Sequence, residues 1–108
     1  MIVVTTDSLA GHRVRTVLGE VLGIRTVDIR AGVTLSGAFK RQDNELPELS
    51  AMLFRMRREA ISRMVAEAQQ RGANAVVGLR FDSSVGGDQR EIAAYGTAVV
   101  VEPADEAR

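Results

Sequence analysis

Arg80, Asp82, Glu91 and Tyr95 carry groups that acid–base or ion-binding chemistry needs, and they fall within sixteen residues of one another. Two carboxylates brought together can move protons, or can hold a hard cation with further oxygen ligands from a neighbour. Arg80 shares their alternation phase and can instead neutralise them, which leaves an ordinary solvated surface. Nothing places a nucleophile beside a base. The glycines fit no phosphate loop: GANAVVG at 72–78 follows a helical pattern rather than preceding one, and no Gly-Lys-Ser/Thr occurs.

Soft metals prefer thiolate and imidazole ligands. The chain has no cysteine and one histidine, His12. A single subunit therefore cannot build a thiolate or multi-histidine site, although a symmetric ring could gather His12 from several subunits about an axis. In a polar turn before a strand, a lone histidine needs no such explanation. Met52, Met56 and Met64 share one helical stripe; thioethers can bind Cu(I), but methionine at that spacing is commonly core filling. Arg55, Arg57, Arg58 and Arg63 make a basic run. Glu48, Glu59 and Glu67 are interleaved with it and no aromatic stacking surface accompanies it, so it reads as a solvated helix face rather than a nucleic-acid contact. No cofactor is expected, and a metal ion is disfavoured by the missing cysteines.

These side chains must be positioned by few elements. The 108 residues fit one domain, 1–103, with a frayed polar tail at 104–108. Apolar residues make up 45% of the chain and the formal net charge is zero, so no whole-molecule field would draw in nucleic acid or an anionic membrane. The amino terminus lacks the pattern of a signal peptide, and no apolar stretch approaches the ~20 residues of a membrane span. The expected location is cytoplasmic.

The clearest element is a helix over 45–71. Leu49, Met52, Leu53, Met56, Ala60, Met64 and Ala68 recur at spacings of three and four. Asn44 suits the N-cap, Pro47 the first turn, Arg71 the last turn and Gly72 the position just past the end. Residues 75–85 alternate, with Val77, Leu79, Phe81 and Val85 on one face and Gly78, Arg80, Asp82 and Ser84 on the other. Gly86-Gly87-Asp88-Gln89 predicts a hairpin returning along 90–102. With Val85 opposite Arg90, Leu79 and Phe81 share a face with Ile92, Ala94, Gly96 and Ala98, small enough to receive the helix. The other face collects Arg80, Asp82, Ser84, Glu91 and Tyr95, then Val99 and Val101.

Residues 2–5 form a short strand. Residues 13–29 form a long one with Gly19 and Gly23 marking a bulge or bend. It is apolar on both faces: Val14, Leu18, Leu22 and Ile24 on one, Val17, Val21, Val27 and Ile29 on the other. Such a strand expects cover on both sides. One helix covers one face of a four-stranded sheet. Val17, Val21, Val27, Val99 and Val101 are left as candidates for a subunit interface, unless residues 30–46 fold back as a lid.

Thr5-Thr6, GEVLG at 19–23, RGANAVVG at 71–78 and YGTAVVVEP at 95–103 occur in an order and spacing that resemble the YbjQ-like family, small bacterial and archaeal proteins labelled heavy-metal-binding domains. The resemblance implies an α+β fold, a β-β-α-β-β subunit with one long helix on a mostly antiparallel four-stranded sheet, assembled into a ring-like homopentamer. Residues 30–46 depart from the glycine-rich segment with aromatics that the resemblance places there. The combined reading is a non-enzymatic oligomeric binding or scaffold protein, with an unidentified small ligand or ion. The alternative is a small enzyme whose acid–base site assembles from Asp82, Glu91, Tyr95 and Arg80 across a subunit boundary.

Overall fold

The computed structural model describes residues 1–28 and 47–104, the side chain of Val85 excepted. Expectations placed on Ile29, the Asn44 cap, residues 30–46 and the tail beyond Ala104 lie outside the described residues.

Helix α1 runs from Pro47 to Gln70. Its buried residues are Met56, Ala60, Met64 and Ala68, one every fourth position, with Met52 and Leu53 packed at their margin. The methionines of the stripe thus serve as core. The helix ends as its sequence implies. Gly72 takes a φ of 87°, its N–H donates to the Gln69 carbonyl at 3.0 Å, and the Ala73 N–H donates to the Ala68 carbonyl at 3.0 Å. This pair of bonds is a Schellman motif.

Strands β3 (Ala75–Gly86) and β4 (Gln89–Pro103) form the hairpin. Val85 pairs with Arg90 as expected, and the ladder reaches Gly86 and Gln89, so the turn is only Gly87-Asp88. Strand β2 (His12–Asp28) lies antiparallel on the other side of β4. Strand β1 (Ile2–Val3) is shorter than expected and runs parallel to β3. Its path continues to bond: Leu79 N–H donates to Val4 O at 3.0 Å and Gly78 N–H to Thr6 O at 2.8 Å. The order is β1-β3-β4-β2, a mixed sheet with α1 on one face.

Register shifts correct the alternation read from the sequence. The β3–β4 ladder slips between Val77 and Arg80, where Gly78 takes a φ of 68°. A bulge changes the face of every residue beyond it. Leu79 and Phe81 therefore face α1 as expected, but Val77 turns to the opposite face and Val76 takes its place against the helix. Strand β2 slips twice, between Val14 and Thr16 and between Val17 and Gly19. Val14 and Val17 consequently share a face with Leu22 and Ile24, while Val21 and Val27 face α1 with Leu18.

Two cores result. The larger lies between α1 and the sheet and holds Val21, Met56, Met64, Val76, Leu79 and Ile92. The smaller, Ala75, Val77, Val99 and Val101, lies on the opposite face under Val4 and Leu9 of the segment that joins β1 to β2. At Gly23 the helix lies directly on the strand: a Cβ there would run into the backbone at Ala60 O and Met64 N. Asn74 closes the small core's end. Its side-chain amide donates to Val101 O at 2.9 Å and accepts from Val101 N–H at 2.8 Å, as a peptide group in the ladder would.

The helix does not reach the whole sheet. Seventeen residues of β2 extend about 56 Å at a strand's rise, against about 36 Å for twenty-four helical residues. The radius of gyration is 17.7 Å, where a compact chain of this length has about 13 Å.

Candidate binding surface

The sheet face opposite α1 carries the predicted site residues in rows. Reading across β2, β4 and β3, the rows are Leu22–Tyr95–Arg80, then Ile24–Ala93–Asp82, then Thr26–Glu91–Ser84. The hairpin register brings Arg80, Asp82, Glu91 and Tyr95 onto one surface, as the alternation implied. Asp82 and Glu91 are diagonal neighbours, a relation that separates residues by about 7–8 Å. Both are exposed. Arg80 does not neutralise them: its Nη1 donates to Thr5 O at 2.8 Å and to Leu79 O at 2.9 Å, tying the β1–β2 segment to β3.

The valines divide differently from the sequence reading. Val17 is 66% exposed on the outer face, as an interface residue would be. Val21 is buried and Val27 half-buried, both against the α1 core. Val99 and Val101 do lie on the outer face, but Val4 and Leu9 of the same chain cover them. Four of the five valine assignments are therefore corrected. The β2 slip between Val17 and Gly19 set Val21 and Val27 on the face opposite Val17, and an unforeseen cover buried Val99 and Val101. The residues that do stand open beside Val17 are Val14 at 44%, Leu22 at 45% and Ile24 at 39% exposure. Leu22 and Ile24 could have been found from their shared phase in VLGIRT. Joining Val17 to them needed the bulges.

The free edge of β2 is bridged at Leu18, Leu22 and Ile24 by side chains of α1 and of Arg71 just past its end. Glu67 Oε1 accepts from Leu22 N–H at 2.8 Å, Arg63 donates to Ile24 O at 2.6 Å, and Arg71 donates to Leu18 O at 3.3 Å. Arg25 pairs with Glu59 at 2.5 Å and Arg71 with Glu67 at 3.1 Å. Arg63, read as part of a basic run, is thus a structural donor. Farther up the helix, Arg57 stacks on Phe81 at 4.5 Å and Arg58 on Phe54 at 4.9 Å. Phe54 is 59% exposed, so the basic face does carry an aromatic, contrary to the expectation of none.

His12 opens β2, with Nδ1 3.1 Å from Ala10 O. It borders an open cleft of about 420 Å³ with Met1, Ile2, Gln69, Asn74 and Pro103 among its walls. The Asn74 amide there is engaged with Val101, and among the described residues no carboxylate lines the cleft with His12. Among the described residues no group of three or more His, Cys, Asp or Glu could hold a metal ion. That donor set does not fit a heavy metal. Also among them, no helix is long and apolar enough to cross a membrane.

Residues 1–102 match the YbjQ-like family, whose description reads "Putative heavy-metal-binding". The chain is 45% identical over 103 residues to a UPF0145 protein of Streptomyces coelicolor, an overlap of 94% of this chain and 97% of that one. It is 40% identical over 105 residues to a UPF0145 protein of Mycobacteroides abscessus, covering 95% and 98% of the two. The fold is similar to the crystal structure of a protein of unknown function in the DUF74 family from Pediococcus pentosaceus. The TM-score is 0.62 at 16% identity, over 94% of this chain and 98% of the other.

Proposed function

We propose, from the premise that this chain belongs to the YbjQ-like family, that it works in the cytoplasm as a non-enzymatic homo-oligomeric binding or scaffold protein whose outer sheet face is buried between subunits. One observation carries the reading. Val14, Val17, Leu22 and Ile24 stand open on the face that α1 does not cover. Fully burying such a side chain stabilises by roughly 1.5–3 kcal/mol, and the exposed fractions of the four amount to about two whole side chains, so the gain of roughly 3–6 kcal/mol approaches the lower end of the roughly 5–15 kcal/mol stability of a small domain. An exposed apolar cluster of that kind, even with Glu20 set between Val17 and Leu22, marks an interface. The long, open shape of the subunit supports the same reading.

The family's metal description is not matched by the donors among the described residues, and the ligand proposed is accordingly a small molecule or ion held between subunits rather than a heavy metal caged within one. Light scattering tests the assembly. A mass well above the 11.7 kDa subunit is expected, falling to the subunit mass for Leu22→Asp with the circular dichroism unchanged. A monodisperse 11.7 kDa wild-type particle ends the reading.

A further inference from the structure

Two surfaces of the subunit stand open, and they are unlike each other. The outer sheet face is apolar along β2 (Val17, Leu22, Ile24) and acidic across β4 and β3, where Glu91 and Asp82 are exposed. Glu20 adds a third exposed carboxylate on β2. The outward face of α1 bears Phe54, exposed, with Arg55 and Arg58 beside it. Along that ridge also stand Ala51, Ser62 and Ala66, exposed and short, before the exposed Gln69 near its end. A helix that faced only water would be expected to carry long charged side chains there. The ion pairs among the described residues, Arg13–Glu102, Arg25–Glu59 and Arg71–Glu67, use none of Glu20, Asp82, Glu91, Arg55 or Arg58.

We infer that the outward face of α1 on one copy docks on the outer sheet face of the next. Phe54 then meets the Leu22–Ile24 patch, and Arg55 and Arg58 meet the carboxylates of Asp82 and Glu91. The inference rests on the oligomer reading above and adds which surface fills the interface. The pairing follows from charge and shape. Sheet face against sheet face would set Asp82 and Glu91 of two copies against each other, and like charges at close range are strongly disfavoured. Helix against helix would do the same with the arginines. Only the mixed contact joins apolar to apolar and opposite charge to opposite charge. Such a contact is heterologous, so each subunit keeps one free half until a closed ring forms. Short residues on the ridge let the helix backbone approach the sheet closely.

A mixing experiment decides it. The sheet variant is Leu22→Asp with Ile24→Asp; the helix variant is Phe54→Ala with Arg55→Glu and Arg58→Glu. Every substituted side chain is exposed, and circular dichroism checks that both fold. Each variant alone is expected at the 11.7 kDa subunit mass, because each lacks one half of the contact. Mixed, they are expected to give a particle of twice that mass and no larger, since one intact helix face can dock on one intact sheet face. A second test is a charge exchange: adding Asp82→Arg and Glu91→Arg to Arg55→Glu and Arg58→Glu should lower the concentration for half-assembly at least tenfold relative to the helix pair alone. A helix variant that keeps the wild-type mass overturns this inference and leaves the sheet interface standing. A sheet variant that keeps it shows that the outer sheet face is not the interface, and overturns that part of the reading above together with this inference. Two monomeric variants that do not combine, or an exchange without recovery, overturn the docking proposed here.

Discussion

Gly23→Ala gives the strongest test of how the helix sits on the sheet. The added methyl would point from β2 into α1 and meet Ala60 O and Met64 N, with the Arg63 carbonyl carbon at 3.0 Å. All three are backbone atoms, so no rotamer change relieves them. The helix must move away, and it carries Ala60 and Met64, both fully buried, out of contact as it goes. Overpacking of this kind costs about 1–3 kcal/mol, and rigid neighbours place it near the upper end, at about 3 kcal/mol. At roughly 4–8 °C per kcal/mol for a domain of this size, the melting midpoint should fall by about 12–24 °C. Two controls separate steric overlap from backbone effects. Gly72→Ala meets nothing within 4 Å but holds a φ of 87°, and it should cost about 1–2 kcal/mol. Gly86→Ala meets neither obstacle and should lie within about 0.5 kcal/mol of the parent. The assay is thermal unfolding followed by circular dichroism at fixed subunit concentration, because assembly makes the midpoint concentration-dependent. A Gly23→Ala midpoint equal to that of Gly86→Ala would refute the direct strand–helix contact.

Val99→Asp should unfold the subunit rather than dissociate it, since Val99 is sealed by its own chain, whereas Val17→Asp should change particle mass with the fold intact; equal behaviour of the two variants in dichroism and light scattering would contradict the two-core arrangement. Asn74→Ala removes two hydrogen bonds to Val101 and should lower stability by about 1–3 kcal/mol in urea unfolding. Elemental analysis of dialysed protein is expected to find no stoichiometric zinc or copper, and a bound equivalent would show a donor set beyond the one described. In the Leu22→Asp, Ile24→Asp background expected to be monomeric, Asp82→Asn should change the unfolding free energy by less than about 0.5 kcal/mol in urea unfolding, as befits an exposed residue outside any ion pair among the described ones.

The helix and the hairpin were legible because each is written in local terms. A four-residue spacing of Met56, Ala60, Met64 and Ala68 can only be one stripe, and Gly72 and Gly87 sit where the backbone needs a positive φ. Alternation is a weaker guide, since it holds only along an unbroken ladder. One extra residue at Gly78 reversed Val77, and the slip in β2 between Val17 and Gly19 separated Val17 from Val21. Nothing local announces that a parallel β1 will carry Val4 and Leu9 over Val99 and Val101, for that contact joins opposite ends of the chain. The surface residues fared similarly. Register placed Arg80, Asp82, Glu91 and Tyr95 together, but composition could not reveal that Arg80 serves Thr5 or that Phe54 stands in the open.

The side chains of α1 that satisfy Leu18, Leu22 and Ile24 have a bearing on how copies can add. An unpaired strand margin is a template on which further strands stack without limit, the route to fibrils. With Glu67 already holding the Leu22 amide, and Arg63 and Arg71 the Ile24 and Leu18 carbonyls, an incoming strand cannot pair along that stretch of margin without displacing them. Growth through it would first require the helix to let go, so a molecule with a greasy flank can gather its own kind while this route to endless polymer stays shut.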